Sequence, residues 1–313
     1  MSALLQVDGL SVDLPLGGWL LPGKARRLNI LSDITLSLLP GETLGLVGES
    51  GSGKTTLARA ILGLQRISGG TIRFQGETLR RPADFAKLRP RTALMFQDAV
   101  ASLSPRMRVG DAICEPFVIN GQPPGDPAAL LAEVGLPPEI AARYPHELSG
   151  GQARRVGVAR ALAMMPALVI ADEPTSGLDV SVQAEVLNLM ADLRDRHGLS
   201  YLIITHNLAL VRHVADRIAV MYLGRLVETG PTATVMAAPA HPYAQSLIAA
   251  EPRPDPRRRR ADLAIRGEIP SVLHRPEGCA FHTRCPIAMA RCRAEEPPLR
   301  DLGQGRAARC HLA

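Results

Sequence analysis

Gly48-Glu49-Ser50-Gly51-Ser52-Gly53-Lys54-Thr55 follows the apolar run Thr43-Leu44-Gly45-Leu46-Val47 and precedes Leu57, Ala58, Ile61 and Leu62 at helical spacing. A strand, a glycine-rich loop ending in Lys-Thr and a helix make up the phosphate-binding loop pattern. Glycines let the backbone curl until successive N–H groups face one point. The helix N-terminus adds partial positive charge there. Lys54 is expected to reach the β- and γ-phosphates of a nucleoside triphosphate, and Thr55 to place its hydroxyl on Mg²⁺. Thr56 is counted with the loop as nucleotide-binding. A glycine-rich turn before a helix is the plainer alternative, but the strand-loop-helix context favours the phosphate site.

Outward from the loop, two further apolar runs, Leu168–Ala171 and Leu202–Thr205, alternate with helical periodicity. Short apolar runs of this kind predict a mostly parallel, buried sheet. The first delivers Asp172 and Glu173 at its end. Asp172 is placed to hold Mg²⁺ through water, and Glu173 to polarise the attacking water as general base. An acidic strand end that merely caps a loop explains these two residues equally well when they are read alone. Before that run lies Leu148-Ser149-Gly150-Gly151-Gln152. Ser149 suits an N-cap of a helix whose buried face is expected to be Val158, Ala161, Leu162 and Met165. Gly150 and Gly151 leave backbone donors bare, so the segment reads as a second anion site without a lysine. A capped helix with a glycine hinge is the plainer alternative, but it does not explain why such a site lies just before Asp172-Glu173.

Leu148–Gln152 resembles the signature motif of the ATP-binding cassette (ABC) family, and other positions match that family in order. Gln97, in Met95-Phe96-Gln97-Asp98, resembles the glutamine-loop residue that senses Mg²⁺ and the membrane partner. Ser176-Gly177-Leu178-Asp179 resembles the D-loop, which meets the opposite subunit, and His206 resembles the switch histidine that meets the γ-phosphate. The resemblance covers about residues 4–250. It implies an α/β fold: a P-loop NTPase (RecA-like) nucleotide-binding domain with an antiparallel β subdomain and an α-helical subdomain. It also implies a head-to-tail dimer in which ATP lies between Lys54 of one subunit and Ser149 of the other. The chain departs from the family at Ala153-Arg154-Arg155 and at Asn207, where Asp is usual. Trp19 is the one aromatic residue before Gly48, in a Gly/Pro-rich insertion, and the adenine-stacking residue is not identifiable from the sequence.

Composition narrows the class. The chain has 313 residues, 46% hydrophobic and 21% charged, which suits a globular protein with its own core rather than a disordered chain. Only ten residues are aromatic, one Trp, four Tyr and five Phe, so an aliphatic core is expected. The longest nearly apolar run, Ala161–Ala171, is broken by Pro166 and falls short of the ~20 residues a spanning helix needs. The N-terminus lacks the basic region and cleavage site of a signal peptide. A cytoplasmic location is therefore expected. Much of the +6 net charge comes from Arg257–Arg260, inside a Pro-rich segment that reads as a solvated linker. No aromatic–basic interleaving suggests a nucleic-acid platform.

That linker divides the chain into residues 1–250 and a tail, residues 251–313, which holds Cys279, Cys285, Cys292 and Cys310. Four cysteines in a reducing compartment argue for a metal over disulfides. Close C-x2–4-C pairs, usual for zinc, are absent, and wider spacing suits an iron–sulfur cluster, with Zn²⁺ as the alternative. Gly267-Glu268-Ile269-Pro270-Ser271, Gly278–Pro286 and the upstream His241-Pro242-Tyr243 resemble the oligopeptide/dipeptide importer ATPases. In that subfamily the cysteines imply a [4Fe-4S] cluster. The resemblance implies an ATPase for peptide uptake at the cytoplasmic face of the inner membrane. Its implied partners are two transmembrane permease subunits, a second ATPase subunit that is this chain or a paralogue, and a periplasmic substrate-binding protein. The surface around Gln97 and Asp98–Glu147 is expected to take a permease helix. A nickel or other small-solute importer is the closest rival, and a non-transport cassette ATPase a more distant one. Cys114, alone in the sequence, is expected to be a buried small hydrophobe. The tail is expected to fold apart from Lys54 and Asp172.

Overall fold

A computed structural model describes residues 2–16, 26–98, 101–251, 267–268 and 270–313. Trp19, Ile269 and the Arg257–Arg260 run lie outside the described residues. The strands are β1 (Leu5–Leu16), β2 (Arg26–Leu38), β3 (Thr43–Val47), β4 (Gly69–Phe74), β5 (Glu77–Leu79), β6 (Thr92–Met95), β7 (Leu168–Asp172), β8 (Ser200–Thr205), β9 (Arg217–Tyr222), β10 (Arg225–Pro231), β11 (Arg300–Gly303) and β12 (Arg306–Ala308). The helices are α1 (Lys54–Ile61), α2 (Pro82–Leu88), α3 (Val109–Ile119), α4 (Pro127–Glu133), α5 (Gly150–Leu162), α6 (Val180–His197), α7 (Leu208–Val214), α8 (Thr232–Ala237), α9 (Pro242–Ala249) and α10 (Ala290–Ala294). The chain forms two compact units. One is Met1–Ser2, Leu38–Thr43 and Arg81–Ile204; the other is Ala3–Ser37, Leu44–Arg80 and Thr205–Ala313.

In the unit that carries Arg81–Ile204, β8, β7 and β6 lie side by side in that order. They are parallel, with Thr92 opposite Leu168 and Leu168 opposite Ser200. Leu168–Ala171 and all six residues of β8 are buried, as expected of strands covered on both faces. Helices α3, α4 and α5 pack together beside them, in keeping with the expected α-helical subdomain. Helix α5 buries Ala153, Arg154, Val156, Val158, Ala159 and Leu162. Two members of its expected face are corrected: Ala161 is half-buried and Met165 is exposed. The helix stops at Leu162, and Met165 turns left-handed at φ 47°, so the helical phase does not extend to it.

The other unit holds the expected antiparallel subdomain, ordered β2-β1-β4-β5. Leu5, Val7, Leu10 and Val12 of β1 are fully buried, as are Leu31, Ile34 and Leu38 of β2. Strand β3 is buried throughout and runs parallel to β9, from Leu44 opposite Arg217 to Val47 opposite Val220. Antiparallel β10 follows β9, and the tail hairpin β11-β12 continues the sheet by pairing Glu228 with Ala308. Aromatic residues are few but are not spread thinly. Tyr222, Tyr243 and Phe281 are all buried, with ring centroids 4.6–5.4 Å apart. The core is otherwise mostly aliphatic, as composition predicts. The tail supplies Phe281 to this cluster and belongs to the same compact unit as Lys54, so the expectation that it folds apart from Lys54 is corrected, while Asp172 lies in the other unit.

Candidate phosphate-binding site

The expected site residues divide between the two units: Gly48–Thr56 and His206 lie in one, and Gln97, Ser149–Gln152, Asp172, Glu173 and Asp179 in the other. In the loop, Gly53 takes φ 105° as N-cap of α1, a left-handed angle that disfavours any side chain. A Cβ at Gly48 would come within 2.2 Å of the Met221 carbonyl oxygen, so the backbone passes there only as glycine. Lys54 is buried, and its Nζ donates to the carbonyls of Gly48 at 2.7 Å and Glu49 at 2.9 Å. The loop thus curls around its own lysine. Ser52 is buried, Ser50 and Gly51 are exposed, and Thr55 and Thr56 occupy the first turn of α1, Thr55 on its exposed side.

Glu49 is held from three sides. Its N–H donates to the Tyr243 hydroxyl at 2.9 Å. Its carbonyl accepts from Lys54. Its carboxylate accepts a two-pronged pair from Arg284 of the tail, at 2.7 and 2.9 Å. Arg284 is buried, lies over the Tyr222 and Phe281 rings, and also donates to the Tyr222 hydroxyl at 3.4 Å. The hydrogen bonds to Glu49 push its pKa further up, so it stays charged. His241 N-caps α9 by accepting the Tyr243 N–H at its Nδ1. Burial pushes the His241 pKa down to about 3, so the ring is a neutral acceptor. This gives His241-Pro242-Tyr243 a physical role: it sets the tyrosine whose hydroxyl anchors the loop.

His206 is exposed just after β8, and Asn207 N-caps α7 by accepting from the Leu210 N–H at 3.2 Å. Asn serves this role as well as Asp does. In the other unit, Glu173 follows β7 with φ 51°, left-handed for a residue with a side chain. Its N–H donates to the Ile204 carbonyl at 2.8 Å, and its own carbonyl accepts from the Ser176 N–H at 3.1 Å. Asp172 and Glu173 are both half-buried. Ser149 caps α5 by accepting the Gln152 N–H at 3.2 Å, and Gln152 Oε1 accepts the Ser149 N–H at 3.0 Å. This closed capping box matches the expected cap. Asp179 caps α6 by accepting the Val182 N–H, and the Ser181 hydroxyl bonded to it holds its pKa low.

Two residues escaped the sequence reading. Arg154 is buried and donates to the carbonyls of Phe96 (3.3 Å), Gln97 (2.7 Å) and Ser176 (2.9 Å), tying the exposed Gln97 segment to the Ser176–Asp179 turn. Its place next to Ala153 suggested only a departure from the family. Arg284 stood inside the quoted tail segment, but its partner lies 235 residues away.

The five cysteines carry free thiols. Cys114 is buried as expected, and its Sγ donates to the Gly125 carbonyl. Cys279 is pushed up to about 11, first by burial, then by the charges of Cys292, Cys310 and Cys285. The Cys279 N–H also donates to the Cys292 carbonyl at 2.8 Å. Among the described residues, no group of three or more His, Cys, Asp or Glu is placed to hold a single metal ion. Four cysteine thiols are the donor type that iron–sulfur clusters take.

Comparison with known proteins settles the family. Residues 31–176 match the ABC transporter model, and residues 227–292 match the oligopeptide/dipeptide transporter C-terminal region. A probable peptide ABC transporter ATP-binding protein of Sinorhizobium fredii is 45% identical over 99% of this chain and 90% of its own length. The chain belongs to the ABC transporter family. A di/tripeptide transport ATP-binding protein of Pseudomonas aeruginosa is 44% identical over 92% of this ABC chain and 91% of its own. Among solved structures, an ABC subunit of Clostridium perfringens, part of the cbiONQ complex, superposes with a TM-score of 0.66 at 27% identity. That match covers 76% of this chain and 92% of the Clostridium chain. The chain is thus an ABC ATPase subunit, and among its described residues no helix is long and apolar enough to cross a membrane.

Proposed function

We propose that this ABC ATPase drives peptide import through partner permease subunits, fed by a periplasmic substrate-binding protein. The observation that carries the peptide reading is the joint match: a peptide-transporter relative along 99% of the chain and the oligopeptide/dipeptide C-terminal region at residues 227–292. In this reading Gly48–Thr56 bind ATP, Thr55, Gln97 and Asp172 hold Mg²⁺, and Glu173 and His206 serve hydrolysis. Ser149–Gln152 and Asp179 act across a head-to-tail dimer, with ATPase residues 1–250 and tail 251–313 as its two parts. The permease is taken at the Gln97 surface. Phe96, Val118 and Ile119 are 53–71% exposed there, and Phe96 borders a cleft of about 190 Å³ that also reaches Met95, Pro116 and Met164. Exposed apolar side chains beside a cleft suit a docked helix. Membranes solubilised gently from cells with tagged chain should yield two polytopic permease subunits in the same complex, and deletion of the gene should abolish uptake of labelled di- and oligopeptides. Normal peptide uptake, with nickel uptake lost instead, overturns the peptide assignment.

The tail is proposed to hold a [4Fe-4S] cluster on Cys279, Cys285, Cys292 and Cys310. Four thiolates suffice for such a cluster, which would add stability to a segment with little core of its own. Protein purified without air should be brown, with iron and sulfide in near-equal amounts. Cys285→Ser should bleach it and open the residues after Glu251 to protease. Stoichiometric zinc without sulfide, in protein never exposed to air, counts against the cluster.

A further inference from the structure

The phosphate-binding loop contains a carboxylate, Glu49, directly after Gly48 and five residues before the lysine meant for phosphate. A nucleoside triphosphate carries several negative charges, and an uncompensated carboxylate in the loop that binds it opposes binding. The carboxylate is not left uncompensated. Arg284 meets it with both terminal guanidinium nitrogens, at 2.7 and 2.9 Å, and the two side chains are only 5% and 20% exposed. A two-pronged pair fixes direction as well as charge, which a lysine cannot do. Arg284 is itself held by the Tyr222 hydroxyl and by the Tyr222 and Phe281 rings. The same loop residue gives its N–H to Tyr243 and its carbonyl to Lys54. Glu49 is therefore the point where the tail, the ring cluster and the phosphate lysine meet.

We propose that Arg284 is a positioning residue for nucleotide binding: it neutralises Glu49 and holds the loop in shape, so that ATP affinity depends on the cysteine-rich tail. The proposal rests on the reading of Gly48–Thr55 as the nucleotide site. Two physical effects act together. Removing Arg284 exposes the phosphates to a bare carboxylate, and it frees that carboxylate to turn and compete for Lys54. Both weaken ATP binding without touching the residues proposed for hydrolysis, so the effect falls on affinity and KM and largely spares kcat at saturating ATP.

The test is titration calorimetry of MgATP into the full-length chain. Arg284→Met should raise Kd by about tenfold or more, as expected for one unscreened charge at close range. Glu49→Gln, which removes the carboxylate and leaves one amide oxygen to accept from Arg284, is the reference for the double variant rather than a silent change. The decisive variant is Glu49→Gln with Arg284→Met, which should return Kd to within about threefold of Glu49→Gln, the coupling that a double-mutant cycle isolates. A tail that matters only for folding gives no such rescue. Arg284→Lys keeps the stem and the charge and guards against misfolding of the Met variant. It should cost only a few-fold, and that cost should likewise vanish with Glu49→Gln. Unchanged affinity in both Arg284 variants overturns the proposal, and so does an affinity loss that Glu49→Gln fails to relieve. Lys54→Ala separates the two readings. If it binds MgATP normally, the loop is not the nucleotide site. If it loses binding while the Arg284 variants keep theirs, only the role given to Arg284 fails.

Discussion

Glu173→Gln should leave MgATP bound and cut hydrolysis by about 10²–10⁴-fold, the usual contribution of a positioned general base. The amide keeps the size and hydrogen-bonding of the side chain and removes only the charge that draws a proton from water. The local structure favours this role. Strand β7 is rigidly buried from Leu168 to Ala171, and the chain then turns left-handed at Glu173. Such an angle costs a non-glycine residue roughly 1–3 kcal/mol and persists only where the surroundings enforce it. Here the Glu173 N–H is pinned on the Ile204 carbonyl and its own carbonyl on the Ser176 N–H. Phosphate release from the assembled transporter is the measurement, with size-exclusion chromatography to detect an ATP-bound dimer that accumulates. Near-normal turnover removes Glu173 from the mechanism.

The elements that the sequence made legible share one property: their signal is local. Strands β3, β7 and β8 are buried on both faces and so read as unbroken apolar runs. The Ser149 cap is written within four residues, and the structure adds a bond back from Gln152 to the Ser149 N–H. What stayed hidden is long-range. Arg154 donates its side chain to backbone carbonyls 22 to 58 residues away, and backbone carbonyls carry no residue identity for a sequence to display. Arg284 and Glu49 do have identities, but one arginine among many gives no sign of which carboxylate it meets. The ring cluster failed for a related reason. Composition counts aromatic residues without saying that Tyr222, Tyr243 and Phe281 gather in one place. Met165 shows the limit of periodicity: the apolar spacing runs past Leu162, while the backbone leaves the helix there.

Lys54→Ala and Ser149→Arg should separate two kinds of ATP contact. Lys54 is buried against the Gly48 and Glu49 carbonyls and is the one side-chain cation inside the loop sequence. Transferring it to the phosphates makes a charge-assisted contact within one chain, so Lys54→Ala should weaken MgATP binding by the isolated chain roughly 10–100-fold. Ser149 sits in the other compact unit, and its hydroxyl is spent on the α5 cap. Its proposed ATP lies on a second copy or a paralogue. Arginine at this position loses the cap, at a cost of about 1 kcal/mol to the helix, which a thermal melt will register without loss of the fold. It also places bulk at the bare N–H groups of Gly150 and Gly151, where the opposite subunit's phosphates would come. Monomer affinity should therefore stay at the native value, while ATP-driven dimerisation and turnover disappear. Calorimetry on the isolated chain and light scattering of the ATP-bound form read the two effects separately. Equal loss of monomer affinity in both variants would place Ser149 and Lys54 on the same nucleotide of the same chain, and the head-to-tail arrangement would have to be abandoned.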